Sequence, residues 1–282
     1  MEIKFEQVNY TYNLRTPLAK KVLNDISLII PANKINGIVG PVGSGKTTMM
    51  ELINGLIFPT RGIVTVGNYT IKKAIKGKQL NKLRFDVGIV FQFPEEQFFN
   101  ITVKEEIIFA LQHYQYHLKE IDDRINKALQ MVGLNETFLD RNPFNLSGGE
   151  KRKVAIASIL VFNPKVIILD EPTVGLDYNS KKKLIQLIKK LRKNYHKTII
   201  ICTHDVDMLY QIADNIIVIN KGNIIIDGPK EEVFSKEELL KANGVGLPKI
   251  LTFVNKARNN KGINLVNCTD IKDLIKDVYR NV

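Results

Sequence analysis

The sequence predicts an α/β fold on three observations. Short β-branched runs alternate with longer helical stretches between residues 35 and 228. Those runs are apolar almost throughout, as strands covered on both faces of a parallel sheet must be. A glycine-rich turn follows the first run and leads into a helix-like stretch, an arrangement that binds anions.

The elements follow in order. Ile3, Phe5, Val8, Tyr10 and Tyr12 partly alternate, then Val22, Leu23, Ile26, Leu28 and Ile30 follow a polar stretch. Ile63, Val64, Val66 and Tyr69 continue the theme, which predicts a mostly antiparallel sheet beside the parallel one. Strands of the parallel sheet are expected at Ile35 to Val39, Val87 to Phe91, Val166 to Leu169, Thr198 to Cys202 and Asn215 to Ile219. Thr48 to Asn54 reads as a helix stopped at Gly55, and residues 103 to 142 as a helical insertion. Glu150 to Val161 reads as a helix, as does Lys181 to Lys193, where Leu184, Leu187, Ile188 and Leu191 recur at helical spacing. Ser235-Lys236-Glu237-Glu238 reads as a capping-box start, with Gly244 as the stop. Ile271, Leu274, Ile275 and Val278 form a last amphipathic stripe. The expected division is a main domain over 1–230, with a helical subdomain at about 100–160, and a small extension over 231–282.

Composition narrows the partners. The 282 residues carry 41 Lys plus Arg against 29 Asp plus Glu, a formal charge of +12. That balance is compatible with nucleic acid, an anionic membrane surface, phosphorylated ligands or simply a lysine-rich soluble surface. Two cysteines, Cys202 and Cys268, exclude a disulfide scaffold and a cysteine-ligated zinc of the usual four-ligand kind. No apolar run approaches the roughly 18 residues a membrane span needs, and the first residues lack a signal-peptide core. A cytosolic chain is expected, with any membrane work done through other subunits.

Gly40-Pro41-Val42-Gly43-Ser44-Gly45-Lys46-Thr47 matches G-x-x-x-x-G-K-[ST] at every fixed position, after a strand and before a helix. Glycines let backbone N–H groups converge on phosphate oxygens. Lys46 would neutralise the β and γ phosphates and Thr47 would ligate magnesium. Val166 to Leu169 leads into Asp170-Glu171, so a buried strand ends in two carboxylates, one suited to the magnesium shell and one to polarising the attacking water. Leu146-Ser147-Gly148-Gly149-Glu150 opens another helix. It reads either as an ordinary N-cap or as a second anion-binding helix start.

Taken together these motifs resemble the nucleotide-binding domain of ATP-binding cassette (ABC) proteins. That resemblance implies a RecA-like P-loop core with an antiparallel β subdomain, a helical signature subdomain and here a small C-terminal extension. Over about residues 1–230, Gly40 to Thr47 matches the phosphate loop and Gln92 the Q-loop. Leu146 to Glu150 matches the signature, Asp170-Glu171 the carboxylate pair, Gly175-Leu176-Asp177 the D-loop and His204 the switch histidine. Tyr12 matches the aromatic residue that stacks on adenine. The resemblance implies ATP and Mg2+ as cofactors. Nucleotide would be held by Tyr12, Gly40 to Thr48, Gln92 and Asp177, with Ser147, Gly148 and Gly149 capping the partner's nucleotide. The metal would be held by Thr47, Gln92 and Asp170, with Glu171 as the base and His204 as the γ-phosphate sensor.

Phe91-Gln92-Phe93-Pro94-Glu95-Glu96-Gln97, the hairpin Tyr12 to Leu23 with Thr16-Pro17 inside it, and the extension are similar to energy-coupling factor (ECF) transporter ATPases. The stretch Asp170 to Asp177 resembles their second type. Glu150 stands where many relatives have Gln, and Tyr178 where they have Pro. The resemblance implies a head-to-tail heterodimer with a second ATPase on the cytoplasmic face of the membrane, and import of vitamins or other micronutrients. A transmembrane coupling subunit would dock on Pro94 to Phe99, a substrate-capturing membrane protein would be reached indirectly, and no nucleic acid is expected. The alternatives are an ATPase of a metal-ion or amino-acid importer, a soluble ABC protein acting on DNA or ribosomes, and a non-catalytic ATP-binding regulator.

Overall fold

The structure, a computed structural model, describes residues 1–73, 75, 77–109, 111 and 118–261. The stripe from Ile271 to Val278 lies outside them. The strands in chain order are β1 (Ile3–Tyr12), β2 (Lys20–Ile30), β3 (Ile35–Val39), β4 (Arg61–Val66), β5 (Tyr69–Ile71), β6 (Val87–Val90), β7 (Val166–Asp170), β8 (Thr198–Cys202), β9 (Asn215–Asn220) and β10 (Asn223–Pro229). The helices are α1 (Lys46–Asn54), α2 (Gly77–Asp86), α3 (Val103–Phe109), α4 (Leu118–Val132), α5 (Gly148–Leu160), α6 (Tyr178–Tyr195), α7 (Val206–Ile212), α8 (Lys230–Ser235), α9 (Glu237–Ala242) and α10 (Lys249–Lys261).

Two sheets form, as the two hydrophobic patterns predict. The first runs β2-β1-β4-β5 with antiparallel pairing throughout. The second runs β10-β9-β3-β8-β7-β6 and is parallel except for β10, which turns back on β9. Successive side chains of a strand point to opposite faces, and β7 shows the consequence. Ile168 joins the cluster shared with α1 and the antiparallel sheet. Ile167 and Leu169 join the cluster shared with α5, α6 and α7. Both faces are covered, which is why the run carries no polar alternation.

α3 and α4 pack on α5, and α5 packs against β6 at the sheet edge. This helical insertion therefore hangs from the end of the sheet opposite β10. After β10, Val233, Phe234, Leu240 and Val245 join the main core. One local expectation holds only in part: a helix does open here, α9 at Glu237, but its N-cap is Lys236 rather than Ser235. Ser235 does not open a helix; its hydroxyl donates to the Glu232 carbonyl at 2.6 Å and closes α8. Pro229 starts that helix early, with Glu231 and Glu232 in its first turn, where carboxylates favour a helix start. Gly244 does stop α9, at φ 72°, with its N–H on the Lys241 carbonyl.

Candidate functional site: an open helix start facing two carboxylates

β3 delivers the chain into the phosphate loop at Gly40. A Cβ there would lie 2.0 Å from the Ile219 carbonyl oxygen, so only glycine lets the loop pass β9. Gly45 stands at φ 111°, in the region glycine alone enters cheaply, and is the N-cap of α1 with no side-chain cap. The first N–H groups of α1 are therefore not bonded by a capping side chain. Lys46 folds back over the loop, its Nζ donating to the Gly40 carbonyl at 2.8 Å and the Pro41 carbonyl at 2.9 Å. Ser44 Oγ is buried with no hydrogen-bond partner among the described residues. Val42 and Gly43 face outward, and Pro41 rests near the turn at Gly244. Thr47 is exposed, while Thr48 is buried and shares a 3.1 Å hydrogen bond with the Tyr12 hydroxyl. That hydroxyl also donates to Glu51, tying the end of β1 to α1.

β7 ends beside this loop. Burial, then the charge of Glu171, push the Asp170 carboxyl up to about 6, with Lys46 pulling the other way. Glu171 follows at φ 43°, a left-handed position that costs a non-glycine residue strain. Both its oxygens are held in the free chain. Thr203 Oγ1 donates to one at 2.7 Å. The His204 backbone N–H donates to the other at 3.1 Å, and His204 Nδ1 shares a 2.8 Å hydrogen bond with it. The histidine side chain is 75 % exposed, so nothing packs it in place. Below this, Asp205 binds Lys181 and Thr173 and caps α7 at Met208. Burial alone would raise its carboxyl, but these hydrogen bonds outweigh it and hold it below the usual range.

The signature lies elsewhere. Ser147 N-caps α5 in a complete capping box. Its N–H and Oγ both donate to Glu150 Oε2, at 2.9 and 2.7 Å, and its Oγ accepts the Glu150 N–H at 3.4 Å. The Ser147 hydrogen bonds hold the Glu150 carboxyl below its usual range. Gly148 is exposed, and Gly149 meets Ser180 at the start of α6. Asp177 caps α6 through the Asn179 and Ser180 N–H groups. α5 covers the β6 edge, three strand steps from β3, or about 14 Å. One phosphate group cannot sit on both helix starts of one chain. Gln92 follows β6 and is exposed, and Phe93 behind it, at φ 49°, reaches toward Gly175.

Sequence reasoning placed Glu95 on an outer docking surface. It instead turns in to Arg152 on α5. Only Glu96 of that pair is exposed. Phe98 is core, whereas Phe99 is 58 % exposed and stacks edge-on with Phe109. Arg152 itself was missed. Its signal was present: Arg152, Ile156 and Leu160 stand at helical spacing, and all three are buried.

The residues fit a magnesium nucleotide. An uncapped α1 start and an orphan serine hydroxyl offer donors to phosphate. Thr47, Gln92 and Asp170 are oxygen ligands of the kind a hard cation takes. Burial and the neighbouring Glu171 raise the Asp170 carboxyl, and a bound cation would favour its ionised form.

A family profile described as "ABC transporter" matches residues 23–174. The chain is 39 % identical over 281 residues to the energy-coupling factor transporter ATP-binding protein EcfA2 of Bacillus cereus, covering 99 % of this chain and 96 % of that one. Against the EcfA2 of Enterococcus faecalis the identity is 41 %, over 91 % of this chain and 89 % of the relative. Among solved structures, cbiO1 from Clostridium perfringens, part of the ABC transporter complex cbiONQ, superposes with TM-score 0.76 at 34 % identity. It covers 90 % of this chain and 98 % of its own. A dimeric post-hydrolysis form of the ATP-binding cassette MJ0796, bound to ADP and Pi, gives TM-score 0.70 at 31 % identity, covering 80 % and 98 %.

Proposed function

Since this chain belongs to the ABC transporter family, among the ATP-binding proteins of energy-coupling factor transporters, we propose that it is the ATP-hydrolysing subunit powering an importer for vitamins or other micronutrients. It works head to tail with a second ATPase and is coupled to a transmembrane subunit. Through that subunit it reaches a membrane protein that captures the substrate. Attachment is peripheral, through the transmembrane subunit and on the cytoplasmic face; no described helix is long and apolar enough to cross a membrane. The exposed Glu96 and Phe99 offer acidic and apolar contact to the transmembrane subunit.

One observation carries the reading. The start of α1 follows β3 and is uncapped, while α5, with its own start, packs on β6, three strand steps or about 14 Å from β3. A second anion site that its own chain cannot use suits a partner's nucleotide.

Bound magnesium ATP supplies the γ-phosphoryl group and the charge that makes it open to attack by water. The chain's own residues do the rest. Backbone N–H groups from Gly43 to Thr48 receive phosphate oxygens, and Lys46 leaves its loop carbonyls for the β and γ phosphates. Thr47, Gln92 and Asp170 would hold the cation, whose charge would favour the ionised form of Asp170. Tyr12 stacks on the base. Glu171, released from Thr203 and His204, takes the proton of the attacking water. His204 swings to the γ-phosphate. Ser147, Gly148 and Gly149 close on the partner's nucleotide, with Asp177 beside that interface. Residues 1–230 form this ATPase domain, and 231–282 help the two ATPases pair.

Solubilised membranes carrying a tag on this chain test the reading. A second ATPase and integral membrane proteins should co-purify and be identified by mass spectrometry. Recovery of the chain alone, or with ribosomes or DNA, contradicts it.

A further inference from the structure

Arg152 lies on α5, within two turns of Ser147, and only 2 % of its side chain is exposed. Its Nη2 makes both of its hydrogen bonds. One goes to the Val174 carbonyl at 3.0 Å, in the loop between Glu171 and α6. The other goes to Glu95 Oε1 at 3.4 Å, in the 3-10 turn Pro94–Gln97 that follows Gln92. Three segments thus meet at one guanidinium: the signature helix, the turn that carries Glu96 at the surface, and the loop leading from the catalytic carboxylate.

The pairing is half made. Arg152 Nε and Nη1 are buried with no hydrogen-bond partner among the described residues, and so is Glu95 Oε2. Arginine and carboxylate ordinarily meet in a two-pronged contact at about 2.7–2.9 Å. Here one prong exists, and it is long. Burial draws the guanidinium toward its neutral form while Glu95 opposes this, so the group gains from any movement that completes the pair. Unmade hydrogen bonds of buried charged groups are costly to keep. An inward movement of the Pro94–Gln97 turn by roughly half an ångström would bring the existing 3.4 Å contact to the ordinary length, and would carry Glu95 Oε2 toward the unpaired guanidinium nitrogens.

We propose that Arg152 is a positioning residue that converts docking of the transmembrane subunit into closure of the composite ATP site. This rests on the transport reading above. Pressure on Glu96 and Phe99 pushes the turn inward and completes the Arg152–Glu95 pair. The tightened guanidinium then sets α5, with Ser147 to Gly149 at its start, against the loop that begins at Glu171. A Lys at 152 keeps the charge but cannot form the fork. Gln at 95 keeps the shape but loses the charge.

The test uses the whole complex, purified from membranes through a tag on this chain, beside the two ATPases alone. Wild-type turnover should rise when the transmembrane subunit is present. Arg152→Lys and Glu95→Gln should each lose about tenfold of that stimulation. Basal turnover of the ATPase pair and binding of a fluorescent ATP analogue to the isolated chain should stay within about twofold. The double variant should be no worse than either single, because both break one pair. Melting temperature checks folding, and Glu95→Gln serves if Arg152→Lys does not fold. A folded variant stimulated like wild type overturns the proposal. So does a loss of basal and stimulated turnover in equal proportion, which marks Arg152 as only structural. A wild-type complex with no stimulation overturns the transport reading, and this proposal with it.

Discussion

The two helix starts at Gly45 and Ser147 solve one problem in opposite ways. α1 begins at a glycine with no side-chain cap, beside a buried serine hydroxyl without a partner. α5 begins with a complete capping box, the Ser147 hydroxyl already given to a charged Glu150. The first start is built incomplete, and the proposed ligand would finish it. The second is finished by its own chain, and to serve a partner's nucleotide, as proposed, it would have to exchange that bond. A free subunit should therefore bind ATP well on one side and offer little on the other. The difference comes from sequence: the N-cap of α1 is Gly45, which has no side chain to cap with, whereas Ser147 and Glu150 cap α5 reciprocally.

The comparison breaks most sharply if chemistry is removed from the first site while its binding is kept. Glu171→Gln should lower turnover by about 10²- to 10⁴-fold, measured as phosphate release from the assembled pair, with ATP affinity retained. Near-normal turnover would remove Glu171 from the proposed role as base. Lys46→Ala attacks binding itself. Losing a hydrogen bond to a charged group costs about 1.5–3 kcal/mol, so nucleotide affinity and turnover should fall together, and titration of the isolated chain reads the first. Gly40→Ala tests whether the open start depends on its close approach to β9. A Cβ 2.0 Å from the Ile219 oxygen should cost about 1–3 kcal/mol of stability and lower ATP affinity, seen together in a melt with and without nucleotide. An unchanged melt would show that the loop relaxes freely.

The second start responds differently. Ser147→Ala should cost about 1 kcal/mol through loss of the cap, and leave ATP binding to the isolated chain untouched while weakening ATP-driven pairing in light scattering. If Ser147→Ala lowers the isolated chain's own ATP affinity, the two starts are not independent. Glu150→Gln is the gentlest change. It keeps an acceptor for Ser147 but removes the charge, so pairing should tighten slightly and the melt should shift by a few tenths of a kcal/mol at most.

Much of this was legible in the residues. The phosphate loop, the two carboxylates and the strand runs are local patterns whose chemistry follows from composition and spacing. Arg152 and the inward turn of Glu95 were not legible as a pair. Glu95 is separated from Arg152 by the whole helical insertion, and an acidic residue in a short loop reads as exposed until the packing is known. Ser235 misled for a related reason. A serine three residues before a glutamate fits a helix start, but the preceding helix reaches it first and takes its hydroxyl.

The order of strands also governs when this protein can begin to work. β3 is flanked by β8 and β9, so the strand that feeds the phosphate loop has no neighbour in its sheet until Thr198 and Asn215 have been synthesised. The Ile219 carbonyl that Gly40 passes comes later still. A nascent chain on the ribosome thus carries the whole phosphate-binding motif long before it owns the walls that shape it. Such non-local pairing is slow and waits on chain length. ATP then arrives as a ligand of the finished sheet rather than of the emerging chain, and a truncated translation product that contains Gly40 to Thr47 but not β9 should be inert toward nucleotide and an early target for proteolysis.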